Sequence, residues 1–260
     1  MTSLDKFRTK ISEGRPVFGV VLRSSETGVS ELVAHTGLGF AWIGKEHSTL
    51  SMREVEGLVA ALKNQDRVCL VRVPRNEANC LGKVVDMGAD IVNAANVATP
   101  QQAEQVVRNA RYYPAGRRSF SPASRSRRQG MDALSGERMR EPNARSMVML
   151  QIEPRKGMEN LDRIARTKGV DTPFLGLGDL NQDLGIPGEF RRPQIAHSIE
   201  RFSRVVCETG RIGAIPAMDT DVMNYCIGLG LRMISCAVDT ALLREGLKHL
   251  RQRICSEVES

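Results

Sequence analysis

The chain has 260 residues, 41% of them hydrophobic and 26% charged, which suits one large α/β domain or two small ones. Its net charge of +7 would suit nucleic acid or a small polyanionic substrate, but aromatic residues make up only 4%, too few for a typical single-strand binder. Residues 1–15 lack an apolar segment and no run of about 18 apolar residues occurs, so we expect neither a signal peptide nor a membrane span.

The six cysteines are scattered along the chain and form no CxxC pair. Several lie inside apolar runs, which is typical of buried free thiols and not of zinc ligands or a disulfide framework. We therefore expect a cytoplasmic location.

Strand and helix patterns alternate along the chain. The continuously apolar segments that predict strands are Val17–Leu22, Phe40–Gly44, Val68–Val73, Ile91–Ala95, Met147–Glu153, Thr172 to about Leu175, Ile212–Pro216 and Met233–Ala237. The predicted helices are Ser3–Glu13, Val29–His35, Ser51–Leu62, Glu77–Met87, Thr99–Arg111, Gly157–Thr167, Gln194–Thr209, Asp219–Leu229 and one that begins at Asp239. Ser51 and Glu54 form a predicted capping box. Gly88 is predicted to end the helix Glu77–Met87, which precedes the fourth strand.

Strands that are apolar on both faces indicate a parallel sheet. Eight strand-helix units over residues 1–260 predict a single-domain (β/α)8 TIM barrel, with an open doubly wound sheet as the lesser alternative. The alternation pauses in a long basic loop at about residues 112–143, which includes one predicted short helix around Ala133 to Met139. No GxGxxG follows the first strand and no GxxxxGK[ST] occurs, which argues against dinucleotide and P-loop chemistry.

Polar residues collect at the predicted carboxyl ends of the strands, where barrels of this kind build their sites. They are Arg23, Glu46, His47, Arg72, Gln151, Glu153, Asp179 and Asp239. Glu153 and Asp179 would hold a hard divalent cation, Mg²⁺ or Mn²⁺. Arg72 would stabilise a carboxylate or an enolate oxygen, and His47 would be the acid/base group. The backbone N–H groups after Gly178 could hold a substrate carboxylate.

Each of these residues also has a purely structural interpretation. A single carboxylate can be a helix cap, which is the simplest role for Asp239, and a single histidine at a strand end can be a structural hydrogen bonder. Arg72 could form a buried salt bridge with Glu153.

The same residues resemble a known family, the metal-dependent class II pyruvate aldolases called the HpcH/HpaI or aldolase/citrate lyase family. The motifs that carry this resemblance are Glu46-His47, Val71-Arg72, Tyr113-Pro-Ala-Gly-Arg117, Met147 to Glu153, Gly176-Leu-Gly-Asp-Leu180 with Gly185, and Val238-Asp239-Thr240. Their order and spacing cover nearly the whole chain.

The resemblance implies that Glu153 and Asp179 bind the metal that chelates a 2-oxo acid, and that Arg72 stabilises the pyruvate enolate. It also implies that His47, paired with Asp86, works in proton transfer with a water on the metal. Gln151 and the backbone at Gly178 would line the carboxylate pocket. Family members are typically hexamers built from dimers that exchange their last helix, so Asp86 would serve a neighbouring subunit's site.

The chain departs from the family pattern at three positions. Gly44 replaces a usual aspartate, Asn93 lies in a strand that usually carries a Val-Pro pair, and Arg23 replaces an apolar residue. With Arg23 and the loop arginines Arg118 and Arg125 as substrate-binding candidates, the pocket would favour substrates with two or three carboxylates.

Three functions stay open on the sequence. The first is aldol or retro-aldol chemistry on a 2-oxo acid of the pyruvate or oxaloacetate type. The second resembles an offshoot of the same fold that condenses oxaloacetate with acetyl-CoA to citrate in siderophore pathways. The third is a basic nucleic-acid-binding scaffold without catalysis, which the composition disfavours.

Overall fold

The structure is a computed structural model that describes residues 1–126, 141–190 and 192–258. Its strands are β1 Val17–Leu22, β2 Phe40–Gly44, β3 Val68–Val73, β4 Ile91–Ala94, β5 Met147–Ile152, β6 Thr172–Leu175, β7 Ala214–Pro216 and β8 Met233–Val238. They pair in parallel and in chain order, and β8 closes on β1. The predicted (β/α)8 barrel is therefore confirmed.

The helices lie between the strands. They are α1 Ser3–Ser12, α2 Thr27–His35, α3 Met52–Asn64, α4 Leu81–Asp86, α5 Pro100–Ala110, α6 Glu141–Ala144, α7 Arg155–Glu159, α8 Leu161–Ala165, α9 Leu177–Asp183, α10 Pro193–Glu208, α11 Thr220–Gly228 and α12 Asp239–Val258. The capping box of Ser51 and Glu54 is present at α3, and Gly88 after α4 has a φ of 100°, as a left-handed helix end requires. The short helix predicted around 133–139 lies outside the described residues.

Two predicted helices are divided in the structure. The segment predicted as Glu77–Met87 begins with a 3₁₀ helix, Arg75–Cys80, and continues as α4. The segment predicted as Gly157–Thr167 forms α7 and α8 with Asn160 between them, and the Asn160 amide donates to the carbonyl of Ala98 at 3.0 Å. Because that amide is engaged with a neighbouring loop, the chain turns at Asn160.

Two apolar cores hold the barrel. The larger lies between the strands and the surrounding helices, and the smaller fills the barrel interior. Leu4 and Phe7 of α1 belong to the interior core, and the Phe7 ring contacts Phe40 edge-on with 6.3 Å between centroids. Helix α1 therefore covers the amino end of the barrel.

The last helix, α12, differs from the others in its exposure. It contacts β1 and β8, and the large apolar side chains along it are exposed. These side chains are Leu242, Leu243, Leu247, Leu250 and Ile254. These side chains form an exposed apolar face along α12.

In the described residues, no helix is long and apolar enough to cross a membrane. All six cysteines are free thiols, as predicted, but only Cys69 and Cys226 are buried; Cys80 and Cys236 are half-buried, and Cys207 and Cys255 are exposed, so the predicted burial is wrong for these four.

Candidate active site

Glu153 and Asp179 meet at the carboxyl rim, the end of the barrel at which all eight strands finish. Glu153 follows β5 and is only 1% exposed, whereas Asp179 lies in the first turn of α9 and is exposed. Asp179 lies close enough to Glu153 that its charge and a side-chain hydrogen bond both raise the pKa of the Glu153 carboxyl group. The structure therefore brings the two predicted metal ligands together from neighbouring strands.

The electrostatics of this pair match a cation site. Burial raises the pKa of Glu153 to about 8; the hydrogen bond from Gln151 opposes the shift, and the negative charges of Glu46 and Asp179 add to it. Two adjacent carboxylates repel each other unless a proton or a cation lies between them. A cation bound between the two carboxyl groups would relieve this repulsion.

Gln151 orients the buried carboxyl group. Its Nε2 donates to Glu153 Oε2 at 2.6 Å, and its Oε1 accepts from Arg72 Nη1 at 3.4 Å. On the opposite side, a Cβ atom at Gly176 would lie 2.5 Å from Glu153 Oε2, so the carboxyl group fits only against glycine. Glu153 is thus held from two sides.

Arg72 points from β3 into the same site. Its Nε lies 3.3 Å from Glu46 Oε2, and its guanidinium carbon lies 5.2 Å from the centre of the Trp42 ring. Burial lowers the pKa of Arg72, and the negative charges of Glu46, Glu153 and Asp179 oppose that shift. Arginine stays protonated in proteins, so Arg72 places a fixed positive charge beside the carboxyl pair.

Glu46 connects Arg72 to His47, a role that the sequence did not reveal. The same Oε2 atom that faces Arg72 lies 3.6 Å from His47 Nε2. Burial raises the pKa of Glu46, while Arg72 and then His47 favour its ionised form. The His47 side chain is exposed at the rim, so it can exchange protons with water and with a bound substrate.

Arg23 also lies at this rim. Asp239 Oδ2 accepts from the backbone N–H groups of Arg23 and Ser24, both at 2.9 Å, and the Arg23 guanidinium donates to the carbonyl oxygen of His47. Asp239 is thus an anchor for the loop after β1 as well as the first residue of α12. Arg23 is close enough for its charge to lower the pKa of Arg72. Its contact with substrate stays a prediction.

Gly178 lines a largely apolar cavity of about 420 Å³ whose lining includes neither Glu153 nor Asp179. The first turn of α9 forms one wall, and the segment after β7 forms another. The lining residues include Leu177, Phe190, Ile199, Pro216 and Met218. A Cβ at Gly178 would meet nothing within 4 Å, so its backbone faces open space. The predicted carboxylate pocket at Gly178 stays a prediction.

Asp86 and Arg125 do not join this site within one subunit. Asp86 ends α4, close to the amino end of β4 and hence at the opposite end of the barrel, where it forms a salt bridge with Arg118. Arg125 lies beside Gly88 and shares a surface pocket with Asp86. The imidazole ring of His47 contacts Glu46 instead. Roles for Asp86 and Arg125 in catalysis therefore require a neighbouring subunit's site and stay predictions.

Comparison with known proteins identifies the family. A family model described as HpcH/HpaI aldolase/citrate lyase matches residues 22–246. The chain belongs to this family. A hydroxypyruvate/pyruvate aldolase of Roseobacter denitrificans is 30% identical over 240 residues, which cover 92% of this chain and 93% of the relative. The predicted enzyme class, an aldolase and hence a lyase, is confirmed.

Solved structures of the family share the fold. The HpcH/HpaI aldolase of Desulfitobacterium hafniense superposes with a TM-score of 0.88 at 26% identity, over 95% of this chain and 96% of the other. A citrate synthase, SbnG, has the same TM-score at 24% identity, over 97% of this chain and 98% of the other. At that identity the likeness to SbnG shows the fold alone.

Proposed function

We propose that this HpcH/HpaI family member is a divalent-metal-dependent aldolase that cleaves or forms a 4-hydroxy-2-oxo acid through an enolate of the pyruvate or oxaloacetate type. The observation that carries the proposal is the carboxyl pair of Glu153 and Asp179 beside the guanidinium of Arg72. The name of the Roseobacter denitrificans relative, a pyruvate aldolase, supports the donor.

The donor set fits a hard divalent cation such as Mg²⁺ or Mn²⁺. Glu153, directly after β5, and Asp179, in the first turn of α9 after β6, offer carboxylate oxygens. No cluster of three or more His, Cys, Asp or Glu side chains suited to a metal occurs in the described parts of the chain. Two protein ligands leave positions open for water and substrate, as Mg²⁺ prefers. When bound, the cation supplies Lewis-acid polarisation of the 2-oxo acid.

The protein's own groups then have separate tasks. Arg72 faces the carboxyl pair and stabilises the negative charge that develops on the enolate oxygen. His47, held against Glu46 at 3.6 Å, accepts or returns the proton of the acceptor's hydroxyl group. Arg23 and the backbone at Gly178 bind carboxylates of the substrates.

Proton exchange tests the function without knowledge of the acceptor. Pyruvate incubated with the enzyme and Mn²⁺ or Mg²⁺ in D₂O is expected to exchange its methyl protons, because enolisation needs no aldehyde. Exchange should stop with a chelator and return with excess metal. Absence of exchange in a metal-replete buffer, while acetyl-CoA and oxaloacetate release free CoA, would replace the proposal by the citrate-forming reaction.

The exposed face of α12 supports assembly through exchange of this helix between two subunits. Leu243, Leu247 and Ile254 lie along one face of α12 and are exposed or line one shallow surface groove. Burying each of these side chains fully would stabilise the assembly by about 2 kcal/mol relative to leaving it in water. We propose that a second copy covers this face, which would also bring surfaces such as that of Asp86 near another subunit's site.

Leu247→Glu is therefore expected to dissociate the assembly, because it places a charge in the middle of the apolar face of α12. Mass measurement by light scattering should show a smaller species for this variant. The control is Glu245→Gln, on the same helix, whose side chain forms exposed ion pairs with Arg244 and Lys248. A wild-type protein that is already monomeric would contradict helix exchange.

A further inference from the structure

Asn93 lies inside the barrel directly beneath the site and has no role in the function proposed above. It is fully buried, and it pairs in register with Arg72 on β3 and Met149 on β5. Its Nδ2 donates to Gln151 Oε1 at 3.1 Å. Its own Oδ1 has no hydrogen-bond partner among the described residues. Because a buried amide costs free energy unless it is hydrogen-bonded, a half-satisfied asparagine here calls for an explanation.

The contact decides which way the Gln151 amide faces. A glutamine side chain can turn its oxygen and nitrogen by 180° with little change in shape. Gln151 Oε1 receives hydrogen bonds from two donors, Asn93 Nδ2 and Arg72 Nη1. With the oxygen fixed there, Nε2 must face Glu153, where it donates at 2.6 Å.

The turned arrangement would be unfavourable at both ends. Gln151 Oε1 would then lie against the Glu153 carboxylate, and Nε2 would lie against the Arg72 guanidinium and the Asn93 amide. Arg72 alone makes only a long contact of 3.4 Å with Gln151, so the shorter contact from Asn93 supplies the better-formed donor. The Glu153 Oε2 atom is in turn held by the hydrogen bond from Gln151.

We propose that Asn93 is a positioning residue that acts through Gln151 to hold the Glu153 carboxylate in its metal-binding orientation. This inference rests on the proposed function, because it takes Glu153 to be a ligand of the cation. Groups that orient a metal ligand commonly contribute about ten- to a hundredfold to metal affinity.

The test measures Mn²⁺ binding by calorimetry or by electron paramagnetic resonance, with no substrate present. Asn93→Asp keeps the shape and replaces the donor by an acceptor, which repels Gln151 Oε1. We expect its Mn²⁺ affinity to fall about tenfold or more, and that of Asn93→Leu to fall by roughly three- to tenfold. Because the expected defect is in metal affinity, the pyruvate proton exchange of both Asn93 variants should lie closer to the wild-type rate at saturating Mn²⁺ than at limiting Mn²⁺.

The matched control is Thr172→Val. Thr172 is another fully buried polar residue of a barrel strand, and its hydroxyl also has no hydrogen-bond partner in the described residues. Its Mn²⁺ affinity should stay within about twofold of wild type. If Thr172→Val lowered the Mn²⁺ affinity as much as Asn93→Asp does, a general loss of packing would explain both effects and the inference would be overturned.

A double-mutant cycle with Gln151 identifies the route. In a Gln151→Met background, Asn93→Asp should change Mn²⁺ affinity by no more than about twofold, because the residue through which it acts is gone. An undiminished effect would overturn the inference. Should Asn93→Asp not fold, Asn93→Leu gives the same comparison, with thermal unfolding measured alongside.

Two outcomes separate this inference from the proposed function. If Glu153→Gln binds Mn²⁺ as wild type does, the metal assignment and the inference fail together. If Glu153→Gln abolishes binding while Asn93→Asp and Asn93→Leu both bind normally, only the role of Asn93 fails.

Discussion

Glu153→Gln is expected to abolish metal-dependent turnover, with at least about a thousandfold loss in kcat, or about 4 kcal/mol. The glutamine keeps the size of the side chain against Gly176 and Gln151 but removes the negative charge that a divalent cation requires. Pyruvate proton exchange with added Mn²⁺ measures the loss. Unchanged exchange would refute the metal assignment.

The fold of this variant is checked by its stability in the absence of metal. Glu153 has a raised pKa in the folded protein, about 8, against an ordinary value of 4.5 in the unfolded chain. The folded state therefore binds the extra proton between these values, and the stability of the wild type falls as the pH rises through that window. Glu153→Gln should be folded and should show a shallower decline. The surface variant Glu104→Gln should behave as wild type.

Arg72→Lys is the second large effect and is expected to lower kcat/KM by about a hundred- to a thousandfold, or about 3 to 4 kcal/mol. Lysine keeps the charge but loses the planar fork, whose Nε faces Glu46 and whose Nη1 donates to Gln151. The enolate would lose its directed donors, and the stacking over Trp42 would be lost as well.

The control for this substitution is Arg166→Lys, at an exposed ion pair with Asp162 on α8 and the loop after it. Such a pair contributes little, so its activity should match wild type. Because Arg72→Lys keeps the positive charge, Mn²⁺ affinity should change by less than about threefold, which places the loss in catalysis. An Arg72→Lys enzyme with the wild-type rate would make Arg72 a structural residue.

The pattern of the sequence was sufficient for the barrel, because its strands are apolar on both faces and each is followed by a helix. Capping signals also placed the starts of α3 and α5 correctly. The break at Asn160 was not predictable, because the apolar spacing of Gly157–Thr167 suits one helix as well as two. It depends on the loop carbonyl of Ala98, which comes from a distant part of the chain.

Part of the site was predictable from the strand pattern alone. Residues at strand ends must lie at one rim, which is why Glu153, Asp179 and Arg72 could be grouped. The bridging position of Glu46 depends on the direction of the Arg72 side chain, which no local pattern fixes. Asn93 was seen only as a departure from the family, because a strand that is apolar on both faces does not reveal which residues point inward.

Helix α1 closes the amino end of the barrel, which limits how reactants enter and leave the site. Among the described residues, Leu4 and Phe7 fill the amino end of the barrel, so we expect reactants to approach Glu153 from the carboxyl rim, where His47 and Arg23 lie. If the 2-oxo acid binds deepest, as the proposed function implies, we expect it to bind before its aldehyde and to leave after it. Accumulated 2-oxo acid product is then expected to inhibit the enzyme by occupying the site before the next molecule to be cleaved can bind.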